Sequence, residues 1–319
     1  TLYVGPQSGV SELAADPKNP NVIYAGIWQF QRKPWTFTSG GAADGIWKST
    51  DGGKTWNKLT GHGLPEGMTG RVGLAIAASN PQRVYALIES KDGILWRSDD
   101  AGATWKLMSK DTLVNQRPFY FSHVRVDPSN ADHVYGVSEA LSESKDGGKT
   151  FKEIASQVHV DYHDMWIAPN DPRRMIVGED GGYAITTDGG DAWTFSRNLA
   201  IGQIYHVGYD DGTPYRICVG LQDNNGFCGP SNSLNPEGII DESWERVTGG
   251  DGMWAWPDPR DPNLVWTDLQ TGRISIYDRR TQRNTFVQPW RGRAIDDFEL
   301  DKAKYRYNWD APIAFDPFD

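Results

Sequence analysis

Carboxylates and imidazoles gather in a few short segments of this 319-residue chain. His159, Asp161, His163 and Asp164 fall within HVDYHD, where two histidines four apart with an aspartate between them can seat a metal at a strand end. Glu179 and Asp180 precede two glycines in EDGG, and Gln222, Asp223, Asn224 and Asn225 form QDNN. Asp251 sits in GGDG, while Asn308 and Asp310 flank a tryptophan in NWD. Arg117, Tyr120 and His123 come from RPFYFSH. Several carboxylates around one opening also suit Ca²⁺, which takes oxygen ligands; no other cofactor is expected. The plainer reading is that Asp180 and Asp251, sitting among glycines, close turns through their own backbone. No Ser-His-Asp order, phosphate loop or nucleotide fingerprint accompanies these motifs.

What positions them is repetition. Four segments share Ser/Thr-x-Asp-x-Gly-x-Thr-Trp: STDGGKTW (49–56), SDDAGATW (98–105), SKDGGKTF (144–151) and TTDGGDAW (186–193). Before each comes an Asp-Pro or Asn-Pro turn followed by a β-branched run, as in DPKNPNVIYAG and ASNPQRVYAL. A period of roughly 40–50 residues with several short strands and two turn signatures is that of a propeller blade. The fold class expected is all-β: a β-propeller of four-stranded blades, about seven in number, with the box turn between strands three and four. First strands are expected near Val10, Arg71, Tyr120, His163, Ile204 and Met253. NWDAPIAFDPFD (308–319) reads as a seventh first strand, and TLYVG (1–5) as a fourth strand left from a preceding blade. In each box the aspartate, Asp51, Asp100, Asp146 or Asp188, is expected to accept backbone N–H groups of its own turn, a structural task.

Since the Pro-containing turns and the boxes share one face of a propeller, the connections between blades, and those between strands two and three, share the other. Every unusual polar motif belongs to that second face, the default place for a site. Of 14 tryptophans, Trp35 stands apart, in an insertion at residues 29–45 with Phe30 and Phe37. Rings exposed there suit sugar stacking or a protein partner; packing onto the adjacent blade is the alternative.

GRVGLAIAASNPQRVYALIES, HVDYHDMWIAPNDPRRMIVGEDGG and QIYHVGYDDGTPYRICVGLQDN resemble the bacterial neuraminidase repeat, or Asp-box, superfamily, in particular the sortilin-like and "glycosyl hydrolase, repeat" proteins secreted by bacteria. The resemblance implies a piece of a larger two-propeller protein, incomplete at both ends, with a further propeller in the same polypeptide. Xyloglucanase-type two-propeller glycosidases carry a motif similar to Asp180–Gly182, which implies Asp180 as one catalytic carboxylate and Asp164 or Asp251 as the other. The Asp box is shared by sialidases, xyloglucanases and receptors, so it implies a fold and not a reaction.

Composition narrows the rest. A net charge of −10 without a Lys/Arg cluster gives no basis for nucleic-acid binding, and no apolar run approaches the ~18 residues of a membrane span. Cys218 and Cys228 flank QDNNG in one hairpin; they are either a cross-strand disulfide, pointing to an oxidising compartment, or two unpaired core thiols. The leading expectation is an exported binding or scaffolding module, periplasmic, cell-surface or secreted, that presents Trp35, Phe37, Arg117, Tyr120, His123, His163, Asp223, Asn224 and Asp310 to a protein or polysaccharide. The alternative is a glycoside hydrolase of the xyloglucanase-like two-propeller type using paired carboxylates.

Overall fold

In blade two, Val72–Ile76 and Val84–Ile88 are short runs of β-branched and aliphatic residues, the second buried at every position, and Leu95–Ser98 and Lys106–Ser109 complete an antiparallel meander. Side chains buried on both faces of a strand require a neighbour on each side, which is how blades stack. The structure, a computed structural model, describes residues 2–120, 123–196, 199, 201–288, 305 and 307–316. Among them are six antiparallel sheets, each a four-stranded meander in chain order, the first carrying one extra strand. The fold is an all-β propeller built of four-stranded blades. The chain divides into two compact units, residues 1–199 with blades one to four and residues 200–319 with blades five and six.

The box lies between strands three and four, and its local bonds explain its sequence. Ser98 donates its hydroxyl to Asp100 Oδ1 at 2.8 Å and accepts the Gly102 N–H at 2.7 Å; Thr104 gives both its N–H and its hydroxyl to Asp100. Gly102 has a φ of +84°, a conformation that favours glycine. Trp105 then folds its indole back onto the Gly102 carbonyl and joins a core with Tyr24, Ile46, Val72 and Trp96. The Thr104 hydroxyl and N–H, followed by Ser98, hold the Asp100 carboxyl down to about 2. Asp51 and Asp146 repeat the pattern, and Asp188 keeps it with Thr186 and the Ala192 N–H.

The insertion in blade one is a β-ribbon. Its second strand, Asn19–Lys33, turns at Pro34 and Trp35 into Thr36–Ser39, with Phe30 opposite Ser39 and Lys33 opposite Thr36. Three boundaries differ from expectation. Blade three begins at His123 because Tyr120 N–H closes a turn onto Arg117. Residues 2–5 form no strand, running into Gly5 and Pro6, and neither do residues 308–316. The latter segment is held by side chains in place of a ladder: Trp309 Nε1 donates to Asp251 and Phe315 packs edge-on to Trp266. Cys218 and Cys228 face each other on adjacent strands of blade five, joined by a disulfide with Cα atoms 4.0 Å apart.

Candidate functional site

In the first unit the blade-one ribbon brings rings into a continuous band. Centroid separations are 4.5 Å from Trp28 to Phe30, 5.4 Å to Phe37, 4.8 Å on to Phe119, 6.4 Å to Tyr120 and 5.8 Å to His163. Most of these contacts are tilted or edge-to-face, the arrangement that aromatic quadrupoles favour, so the rings brace one another instead of forming one flat platform. Trp35 stands at the ribbon's tip, 78% exposed, with the Lys33 ammonium 5.9 Å from its ring. The Arg71 guanidinium covers Trp28 at 5.4 Å.

The band ends at a group of acids. A register shift between Tyr162 and Asp164 breaks the alternation of the first strand of blade four, Tyr162–Ile167. His163 Nε2 meets Asp180 Oδ1 at 2.6 Å, and a carboxylate oxygen of Asp161 comes within 4.8 Å of one from Asp180. Asp161 is buried and adopts a φ of +67°, an uncommon conformation for a side-chain-bearing residue. Burial pushes its carboxyl up; the Arg117 guanidinium, 3.4 Å away, opposes this, and the charges of Asp180 and Glu139 reinforce it. Glu179 is likewise pushed up by burial, against the Gly181 N–H and His159, and its Oε1 has no hydrogen-bond partner among the described residues. If a cation bound in this unit, Asp161 and Asp180 are the pair near enough to share it, although Arg117 already supplies positive charge there.

The other expected residues of this unit lie elsewhere in the network. Asp164 binds Arg125 through Oδ1 at 2.7 Å, while the carboxylate found within 4.8 Å of Asp180 in this unit is that of Asp161. His123 Nδ1 meets Glu12 at 2.8 Å, in a cluster that also holds Arg71 and Arg125. Arg117 bridges Glu139 and Asp161.

In the second unit, buried Asp251 accepts the Asp223 N–H at 3.0 Å and the Trp309 indole N–H at 2.7 Å, which makes it a fastening for two loops. Asp223 has a φ of +60°, and Asn224 donates to the Gln222 carbonyl. Asp310 accepts from His206 at 2.7 Å and from Trp254 at 3.1 Å, and the His206 and Trp254 rings stack 3.7 Å apart. A residue that the motifs did not single out, Asp268, is wholly buried in the second strand of blade six, Leu264–Leu269. Burial, reinforced by the charge of Asp310, pushes its carboxyl up to about 7.

No family model matches the chain. Its relatives among characterised proteins are nonetheless consistent in kind. The chain is 26% identical over 257 residues to a xyloglucanase of a Paenibacillus species, an alignment covering 78% of this chain and 21% of that protein. It is 26% identical over 339 aligned positions to the xyloglucanase Xgh74A of Acetivibrio thermocellus, covering 92% of this chain and 38% of that one. The chain is similar to xyloglucanases. It spans between about a fifth and two fifths of their length. Among solved structures, an ancestral GH74 enzyme superposes with a TM-score of 0.44 at 14% identity, over 91% of this chain and 40% of that one. No helix among the described residues is long and apolar enough to cross a membrane.

Proposed function

We propose that the chain is part of an exported glycoside hydrolase acting on a branched β-glucan of the xyloglucan type, held along the aromatic band of the first unit and cleaved by Asp161 and Asp180. The observation that carries this reading is a buried carboxylate of raised pKa with a second carboxylate within 4.8 Å of it, at the end of a band of exposed rings. A glycosidase needs one carboxyl that keeps its proton to release the leaving oxygen and another that stays ionised. Asp161 suits the first part and Asp180, oriented by His163, the second. Trp35, Phe37 and Tyr120 offer apolar faces to sugar rings, the similarity to xyloglucanases supports the substrate class, and the disulfide suits an oxidising compartment.

Asp161→Asn and Asp180→Asn should each lower turnover of xyloglucan by ~100-fold or more with the fold intact, while Asp164→Asn and Asp251→Asn leave it within a few-fold. Undiminished turnover in either of the first two variants excludes the pair. One observation favours a second reading, binding of a polysaccharide or protein without turnover: Arg117 beside Asp161 works against a proton donor. Trp35→Ala and Phe37→Ala that abolish binding in a protein with no measurable turnover would establish that reading.

A further inference from the structure

Blades five and six lack the box, and a groove of about 570 Å³ lies along their outer strands. After the third strand of blade five, Gly226–Pro230, the chain makes a long excursion to a single turn at Asp241–Ser243 before its fourth strand, Glu245–Thr248. Blade six makes the same connection between Arg273–Asp278 and Arg283–Phe286 through a tight turn in which Gln282 has a φ of +54°. Trp244 stands where a box would end. Its ring lies on Gly229, where a Cβ would come within 2.5 Å of it, so the glycine lets the indole lie flat and fixes one face. Trp244 is also one of the residues lining the groove.

We propose that this groove binds a neutral sugar unit of a polysaccharide, apart from the aromatic band and its acids. Three features point to that ligand. The volume falls within the ~300–1,000 Å³ range of small-ligand sites. The groove carries two carboxylates, Glu242 and Glu245, and one guanidinium, Arg246, and Glu245 is already paired at 2.8 Å with Arg279 beside the groove, so no strong charge of either sign is left to favour an ion. The lining residues include Trp244 and Tyr277, two glutamates, an arginine, Gln282 and Asn284, types that offer an aromatic face and the mixed donors and acceptors that a hydroxyl-rich ring requires. The walls are braced. Tyr277 donates to Glu245 at 2.8 Å, its phenol pushed up to about 12 by burial and then by that carboxylate, and Asn284 Nδ2 holds the Val247 carbonyl at 3.2 Å across the two blades. Glu242, Arg246 and Gln282 are exposed and free to turn toward a ligand.

The choice of polysaccharide rests on the proposed function, but the groove is tested separately from it. Calorimetric titration of the chain with xyloglucan oligosaccharides should give two sites. Trp35→Ala/Phe37→Ala should remove one, and adding Arg246→Ala/Gln282→Ala should weaken the remaining one by tenfold or more. Trp244→Leu should do the same if near-ultraviolet circular dichroism shows it folded; the two exposed positions decide the matter if it is not. Loss of all binding in the Trp35/Phe37 variant, or remaining binding indifferent to Arg246 and Gln282, overturns the groove and leaves the band standing. Two sites of which only the groove variants remove one overturn the band and leave the groove.

Discussion

In blades one to four the outer turn is closed by an aspartate that gathers hydroxyls and backbone N–H groups within a few residues of itself, as Asp100 does with Ser98 and Thr104. In blades five and six that turn is absent: the Cys218–Cys228 disulfide ties the second and third strands of blade five, and Glu245 on its fourth strand is bonded to Tyr277 and Arg279 of blade six. A groove beside Trp244 runs along the outer strands of the blades that lack the box. The box carboxyls of the first unit and the buried Asp268 of the second also respond to pH in opposite directions. The box carboxyls Asp51, Asp100 and Asp146 are held down to about 2, so they favour the folded chain above the unfolded value near ~3.9 and that support is lost as pH falls toward 2. Asp268 is the reverse. With its carboxyl at about 7, the folded second unit keeps a proton that the unfolded chain has released, so stability falls as pH rises from ~4 to 7 and stays reduced above.

The largest effect expected is therefore a gain. Asp268→Asn keeps the shape of the side chain and removes a buried charge, so at pH 8 it should stabilise the second unit by an amount on the order of 2–4 kcal/mol. It should also abolish the loss of stability between pH 4 and 7 there. Urea denaturation at several pH values measures both; a variant that is destabilised at pH 8, or that keeps the slope, would show that Asp268 is not the group responsible.

Removal of the disulfide comes next. Cys218 and Cys228 are ten residues apart, and closing a loop of that length restricts the unfolded chain by an amount worth about 2–3 kcal/mol. Cys218→Ala/Cys228→Ala should lose about that much, with hydrogen exchange rising in blade five and unchanged in blade two, where the boxes do the closing. Equal loss of protection in both would mean that the two closures are not independent.

The boxes were legible from sequence because every bond they need is made within four residues, so residue type and spacing carry the whole geometry. The same holds for the strands of blade two, whose β-branched runs match the observed ladders. The site was less legible. That Asp180 has Asp161 for a neighbour depends on a register shift beside His163, which no spacing records. The band depends on Phe37 of blade one meeting Phe119, 82 positions later. Asp268 was invisible because its neighbours VWT read as an ordinary strand, and only burial turns it into an unusual acid. Residues 308–316 share the Asn-Trp-Asp and Asp-Pro signals of a blade, yet their indole and carboxylate are engaged with Asp251, His206 and Trp254 in place of a strand ladder.

The smallest effect tests the local closure itself. Ser98 is buried, gives its proton to Asp100 and receives the Gly102 N–H. Ser98→Ala leaves that buried N–H without an acceptor while Thr104 still holds the carboxylate, so the loss should be about 1–2 kcal/mol and not the whole turn. The Asp100 carboxyl, held down first by the Thr104 hydroxyl and N–H and then by Ser98, should rise, and the acid limb of blade two's stability should move to higher pH. Thr104→Ala should move that limb further, because it removes the largest single influence. Carbon-detected NMR titration of the Asp100 carboxyl follows both variants, and a Ser98→Ala shift as large as that of Thr104→Ala would mean that the hydroxyl at the start of the box, and not the one at its end, sets the charge on which the turn is built.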